Sequence, residues 1–134
     1  MARRVTPGVL WAAQWALRAS WSVRRQLHSR SPIEVRVPKP PGRLSEDAFR
    51  GVRYTLRQRE ALCLERSLVY QEWLAARGEY VDVVIGVSNP NDFKAHAWLD
   101  GWEPEAADEF AELVRRSARP LPIRSERGWR RTHS

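Results

Sequence analysis

The chain has 134 residues, 43% of them hydrophobic and 29% charged, the profile of a single globular domain rather than of a disordered chain. No uncharged apolar run reaches the roughly 18 residues of a membrane span, and a single cysteine excludes an internal disulfide framework and a Cys-rich zinc site. A reducing, cytoplasmic setting is the expectation.

The net charge of +7 is segregated along the chain. Residues 1–43 carry nine basic side chains and one acidic, residues 44–114 seven and fourteen, and residues 115–134 seven and one. An acidic body between two basic arms points away from a nucleic-acid-reading face, on which the charge would be folded into one surface. The expected organisation is a basic amphipathic arm and Pro-rich linker over 1–42, a core over 43–117, and an Arg/Pro tail over 118–134.

In chain order, Val9, Leu10, Ala13, Leu17, Trp21, Val23 and Leu27 recur at helical spacing within residues 8–27, which predicts an amphipathic helix. Arginines gather at its end, where they complement the helix dipole. Pro32, Pro38, Pro40 and Pro41 exclude helix from the following stretch. Ser45 opens a second helix, with Glu46 and Asp47 in its first turn. A third runs from near Leu62 to Arg77, with Gly78 as its stop.

Residues 80–87 are β-branched and apolar, the pattern of a buried strand. Residues 88–92 form a turn, and Phe93 to Leu99 alternate as a second strand. Asp100-Gly101 reads as a two-residue hairpin turn. Pro104, the acids behind it and Arg115-Arg116 predict a last helix over about 104–117.

One side chain has the setting of a nucleophile. Cys63 falls at a predicted helix start, where backbone amides stabilise an anion. His96 is the histidine of the acidic core, flanked by the small residues Ala95 and Ala97. A helix-borne cysteine and a strand-borne histidine are the parts of a papain-like thiolate–imidazolium pair. The plainer alternatives are a buried structural cysteine and a hydrogen-bonded strand histidine.

The residues around these two points resemble a known family. Cys63-Leu64-Glu65-Arg66-Ser67-Leu68, then Ile85-Gly86-Val87, then Phe93-Lys94-Ala95-His96-Ala97-Trp98-Leu99, in that order, are similar to the lasso peptide B2 proteins. These are transglutaminase-like leader peptidases of lasso peptide biosynthesis, like the C-terminal domain of the microcin J25 processing protein. The likeness spans about 43–101. It implies an α+β papain/transglutaminase-like cysteine peptidase fold, a helix-borne cysteine packed on a small antiparallel sheet.

By motif match, the resemblance makes Cys63 the nucleophile and His96 its base. Arg66, Ser67 and Trp98 shape the substrate groove or brace it. No cofactor and no metal are implied. The third triad member is where the chain departs from the family pattern, whose hairpin after the histidine is longer. Register across a two-residue turn favours Glu105, raw spacing favours Asp108, and Glu103 is a further option; each also suits a helix N-terminus, and a Cys-His dyad is open.

The resemblance further implies a ribosomal (RiPP) precursor peptide as substrate, a separate leader-binding B1 protein (a RiPP recognition element) as partner, and contact with the lasso cyclase. The arm with Trp11, Trp15 and Trp21 fits either a partner groove or the protein's own body. Two other classes compete: a catalytically idle transglutaminase-like scaffold, and a basic nucleic-acid-binding module, which gives Cys63 and the His96 strand no purpose.

Overall fold

The computed structural model describes residues 6–42, 46–59, 61–88 and 94–118. Helix α1 (Pro7–Gln26) starts at Thr6, whose hydroxyl accepts the Val9 amide at 3.2 Å. Pro7 takes the first helical position and Arg24 and Arg25 the last turn, the favoured chemistry at each end. Val9, Ala12, Trp15, Ala16, Ala19, Ser20 and Val23 make its buried stripe.

That stripe is one wall of the core. Trp15, Ala16, Ala19 and Val23 share a cluster with Leu68, Trp73 and Val83. The Trp15 and Trp73 rings lie 5.8 Å apart. The Pro-rich segment follows without helix or strand, turning at 32–34, where the Glu34 amide donates to the Ser31 carbonyl at 2.9 Å, and it sends Val35 and Val37 into the same cluster. The Trp15 indole N–H donates to the Pro38 carbonyl at 3.0 Å, and the Arg116 guanidinium donates to the carbonyls of Pro32 and Val35 at 2.7 Å each. Arm and linker thus pack on the body.

After a 3-10 turn at Glu46–Ala48 comes α2 (Phe49–Gln58); the capping position Ser45 lies outside the described residues. Gly51 lets α2 lie directly on α1, since a Cβ there would collide with the Val9 carbonyl. Helix α3 (Cys63–Ala76) ends as expected, with Gly78 in the left-handed region at φ 88.

Strands β1 (Val83–Val87) and β2 (Ala95–Leu99) pair antiparallel, Gly86 opposite His96. Residues 89–92 of the expected turn and Phe93 lie outside the described residues. The chain does turn at Asp100-Gly101: the Trp102 amide donates to the Leu99 carbonyl at 2.9 Å, and Gly101 has φ 87. No hairpin follows. Pro104 has no amide to give a ladder, and it opens α4 (Pro104–Glu109) instead.

The predicted helix over 104–117 is corrected here. Phe110 is extended (φ −114, ψ 141) and ends α4, and Ala111–Arg116 form β3. The dipole pattern of acids then arginines had suggested one long helix. The apolar order speaks for a strand: half-buried Val114 and Arg116 alternate with exposed Leu113 and Arg115. With β3 on the free side of β1, whose backbone groups need partners, the sheet order is β2-β1-β3.

Arg115 ties the end of this sheet, bonding Asp82 before β1, Asp100 after β2 and Glu112 on β3 at 3.2, 2.9 and 2.8 Å. Helix α3 packs on β2 and on α1. Among the described residues no helix is long and apolar enough to cross a membrane.

Candidate active site

Cys63 is the first residue of α3 and a half-buried free thiol. The preceding Leu62 is extended and forms no side-chain cap. Among the described residues no side chain caps the first-turn amides of α3, which leaves their N–H groups to face outward at the helix start that carries Cys63. Leu62 itself is 65% exposed, so the approach to Cys63 is open on that side.

Two anchors fix this first turn. Glu65 is buried, and Arg24 of α1 grips it with two bonds, Nε to Oε2 at 2.6 Å and a terminal nitrogen to Oε1 at 3.0 Å. That bidentate geometry is the strong form of the carboxylate–guanidinium pair. The Ser67 hydroxyl donates to the Ala97 carbonyl at 3.3 Å. It braces α3 against β2, one of the two edge strands of the sheet.

These contacts fix how far along β2 Cys63 lies. Ser67 meets Ala97, and one turn further Tyr70 meets Trp102, ring centroids 6.2 Å apart; helix and strand therefore advance in the same sense. Stepping back from Ser67 to Cys63 covers about 6 Å of helix, the length of about two strand residues. Cys63 thus falls level with the Ala95-His96 end of β2, while the strand's alternation divides the faces: Ala97 and Leu99 pack with α3, and His96 lies with Trp98 and Phe110 on the other face.

His96 bonds Glu103, Nε2 to Oε1 at 2.8 Å. An ionised carboxylate only accepts, so Nε2 carries the proton and Nδ1 is left as the basic nitrogen. The ring stacks on Trp98 (centroids 5.7 Å apart, 19° between planes) and tilts against Phe110 at 5.3 Å. Trp98 is 3% exposed, a brace for the imidazole rather than an exposed contact. Gly86, directly opposite His96, makes this possible: a Cβ there would come within 2.8 Å of the Ala111 carbonyl and 2.9 Å of the Trp98 ring.

The acid beside His96 is thus Glu103. Glu105 and Asp108 lie exposed on α4 and make no hydrogen bond to the ring. The register argument for Glu105 assumed a return strand beside β2, and Pro104 prevents one. The residue before a proline is held out of helix, and Glu103 is (φ −133, ψ 78), which leaves its carboxylate reaching back to the strand. Pro104 directly after Glu103 was the available signal; nothing in the spacing pointed to Phe110.

Cys63 and His96 are not hydrogen-bonded to each other; the ring's bond is the one to Glu103. Catalytic contacts of this kind are commonly long in the absence of substrate. Arg66, half-buried, stands one turn above Leu62 and beside Tyr70, whose hydroxyl burial holds above the usual tyrosine range while Arg66, Arg53 and Arg57 pull it back. Among the described residues no three His, Cys, Asp or Glu side chains gather as a metal site requires.

The transglutaminase-like superfamily model matches residues 7–119, and the chain belongs to that superfamily. Its members are typically cysteine-based enzymes, cysteine peptidases among them. No curated protein and no solved structure matches the chain. The match begins at α1 and ends after β3, the segments that share the core and the sheet.

Proposed function

We propose that the chain is a cysteine peptidase that removes the leader from a ribosomally made lasso peptide precursor. What supports this reading is a free thiol at the start of α3 and a His96 hydrogen-bonded to Glu103, both within one transglutaminase-like domain. The motif resemblance supplies the substrate class.

The reaction follows from these groups. Cys63 gives its proton to Nδ1 of His96, and Sγ attacks the scissile carbonyl. The developing oxyanion is met by the bare amide of Cys63 at the start of α3. The C–N bond breaks as His96 protonates the leaving amine, and an acyl-enzyme remains on Sγ. Water, deprotonated by His96, attacks that thioester and returns the free thiol and the carboxylate of the leader. Glu103 holds the ring and balances its charge while it is protonated.

In this reading a separate leader-binding B1 protein delivers the precursor in the cytoplasm, and the lasso cyclase takes the product. Delivery by a second protein acts by raising the effective concentration of the scissile bond. The test is cleavage of the precursor followed by mass spectrometry, with and without the leader-binding protein, at low and high salt. The expected result is a single cut that needs Cys63 and is stimulated by the partner. No cut under any of these conditions refutes the assignment. Iodoacetamide separates an enzyme from an idle scaffold: an activated thiol labels fast at neutral pH.

A further inference from the structure

We propose that the groove between α1 and α2 docks an acidic, amphipathic peptide segment of a partner protein. The groove encloses about 640 Å³. Val9, Leu10 and Ala13 of α1 form an apolar wall, and Tyr54 with Arg53 and Arg57 of α2 form the other. Leu10 is 59% and Tyr54 61% exposed. Single exposed apolar residues are ordinary, but a contiguous apolar wall rimmed by charge marks an interaction site.

The charge decides what fits. Helix α2 carries Arg50, Arg53 and Arg57 and no acid. They sit at i, i+3 and i+7, a single stripe, and like charges at that spacing oppose helix formation. Arg50 is answered by Asp47, with contacts of 2.8 and 3.0 Å. Arg53 and Arg57 have no ion pair among the described residues. Arg57 suits the C-terminal end of α2; Arg53, mid-helix, has no such use. The stripe therefore stands as a cost to the fold that an acidic ligand would offset.

The chain's two terminal segments do not suit the place. Residues 1–5 carry two arginines and no acid, and residues 119–134 five arginines and one glutamate. The groove's cationic side runs toward α3, since Arg53, Arg57 and Arg66 together act on the Tyr70 hydroxyl. A peptide lying in it with Leu or Phe against Val9 and Leu10 would set its carboxylates among Arg53 and Arg57, an amphipathic segment in an apolar groove with a charged rim.

The test is run on the Cys63→Ala chain, so that it reads docking and not cleavage. The probe is a short fluorescein-labelled peptide with Leu and Glu at helical spacing; controls carry Ser for Leu, or Lys for Glu. Fluorescence anisotropy should show saturable binding of the Leu/Glu probe, weakened about tenfold or more by Arg53→Glu with Arg57→Glu, and weakened also by Leu10→Ser and by salt. All three positions are exposed, so unchanged circular dichroism melts certify the variants. Equal binding by the Ser control or by the double arginine variant overturns the proposal. So does tighter binding of a DNA oligonucleotide, or a dimer in sedimentation that the arginine variant dissociates, which would give the groove to nucleic acid or to a second copy.

Discussion

Glu103→Gln tests the candidate triad where sequence and structure part. The change keeps the side chain's shape and removes its charge. A glutamine amide can donate as well as accept, so it no longer compels Nε2 to hold the proton, and Nδ1 ceases to be reliably basic. Two limits bound the effect. Loss of a fully buried orienting carboxylate costs about 10⁴ in kcat, roughly 5.4 kcal/mol. An exposed ion pair is worth about 0.2–1 kcal/mol.

The His96–Glu103 pair lies between those limits, with side chains 25% and 44% exposed. Trp98 and Phe110 pack together against one side of the ring while the carboxylate meets solvent. An intermediate loss of about 1.4–2.7 kcal/mol follows, a kcat about 10- to 100-fold lower. The assay is kcat for precursor cleavage in Glu103→Gln, Glu105→Gln and Asp108→Asn, with ¹⁵N NMR of the imidazoles as a readout independent of turnover. The chain has three histidines, so the His96 tautomer is readily assigned. Glu103→Gln at the wild-type rate with an unchanged His96 tautomer refutes the reasoning, and a slow Glu105→Gln or Asp108→Asn would move the acid to α4.

Cys63→Ala should abolish cleavage with no change in melting temperature, and His96→Ala should be nearly as slow, because members of one catalytic unit are strongly non-additive; turnover persisting in Cys63→Ala excludes a cysteine mechanism. Trp15→Ala should lose about 3–5 kcal/mol in urea unfolding, and a loss below about 1 kcal/mol would mean that α1 is not a wall of the core. Glu72 is held above the usual carboxylate range by burial, with Arg116 and Lys39 pulling it back. A carboxyl raised on folding costs the native state as pH climbs past the unfolded value, so Glu72→Gln should raise Tm by roughly 1–3 °C at neutral pH and not at pH 3. A gain at pH 3 as large as at pH 7 contradicts that sign.

What was legible in the sequence were the elements with a strong period. The helical repeat of α1, the capped end of α3 at Gly78 and the β-branched run of β1 each specify their structure within a few residues. The α4–β3 segment was not legible because two signals conflict there. Its charge order suits a helix dipole, while the pairing need of β1, remote in sequence, claims Ala111–Arg116 as a strand. The acid was obscured for the same reason: Glu105 is on the correct side only of a hairpin, and whether a hairpin forms is decided by Pro104 and by β3, not by Asp100-Gly101. Gly86 stood out within Ile85-Gly86-Val87, but its purpose needed the sheet, where the missing side chain admits Trp98 beneath His96.

The arginines of α1 show why charge segregation along a chain is a poor guide to what the charges do. Counted in sequence, they belong to a basic arm. In the fold Arg24 reaches across to the buried Glu65, two residues after Cys63. On the other side of Cys63, Arg59 at the end of α2 returns the contact, its Nε donating to Ser20 of α1 at 2.9 Å and its guanidinium lying 4.5 Å over the Trp21 ring. The turn that carries Cys63 is therefore held to α1 from both flanks. A nucleophile at a helix start depends on where the first-turn amides point, and here that direction is set by a helix nearly forty residues earlier in the chain. The basic N-terminal segment is accordingly part of the scaffold of the site, and the region that must fold together to present Cys63 begins at α1, in agreement with a family match that starts at residue 7.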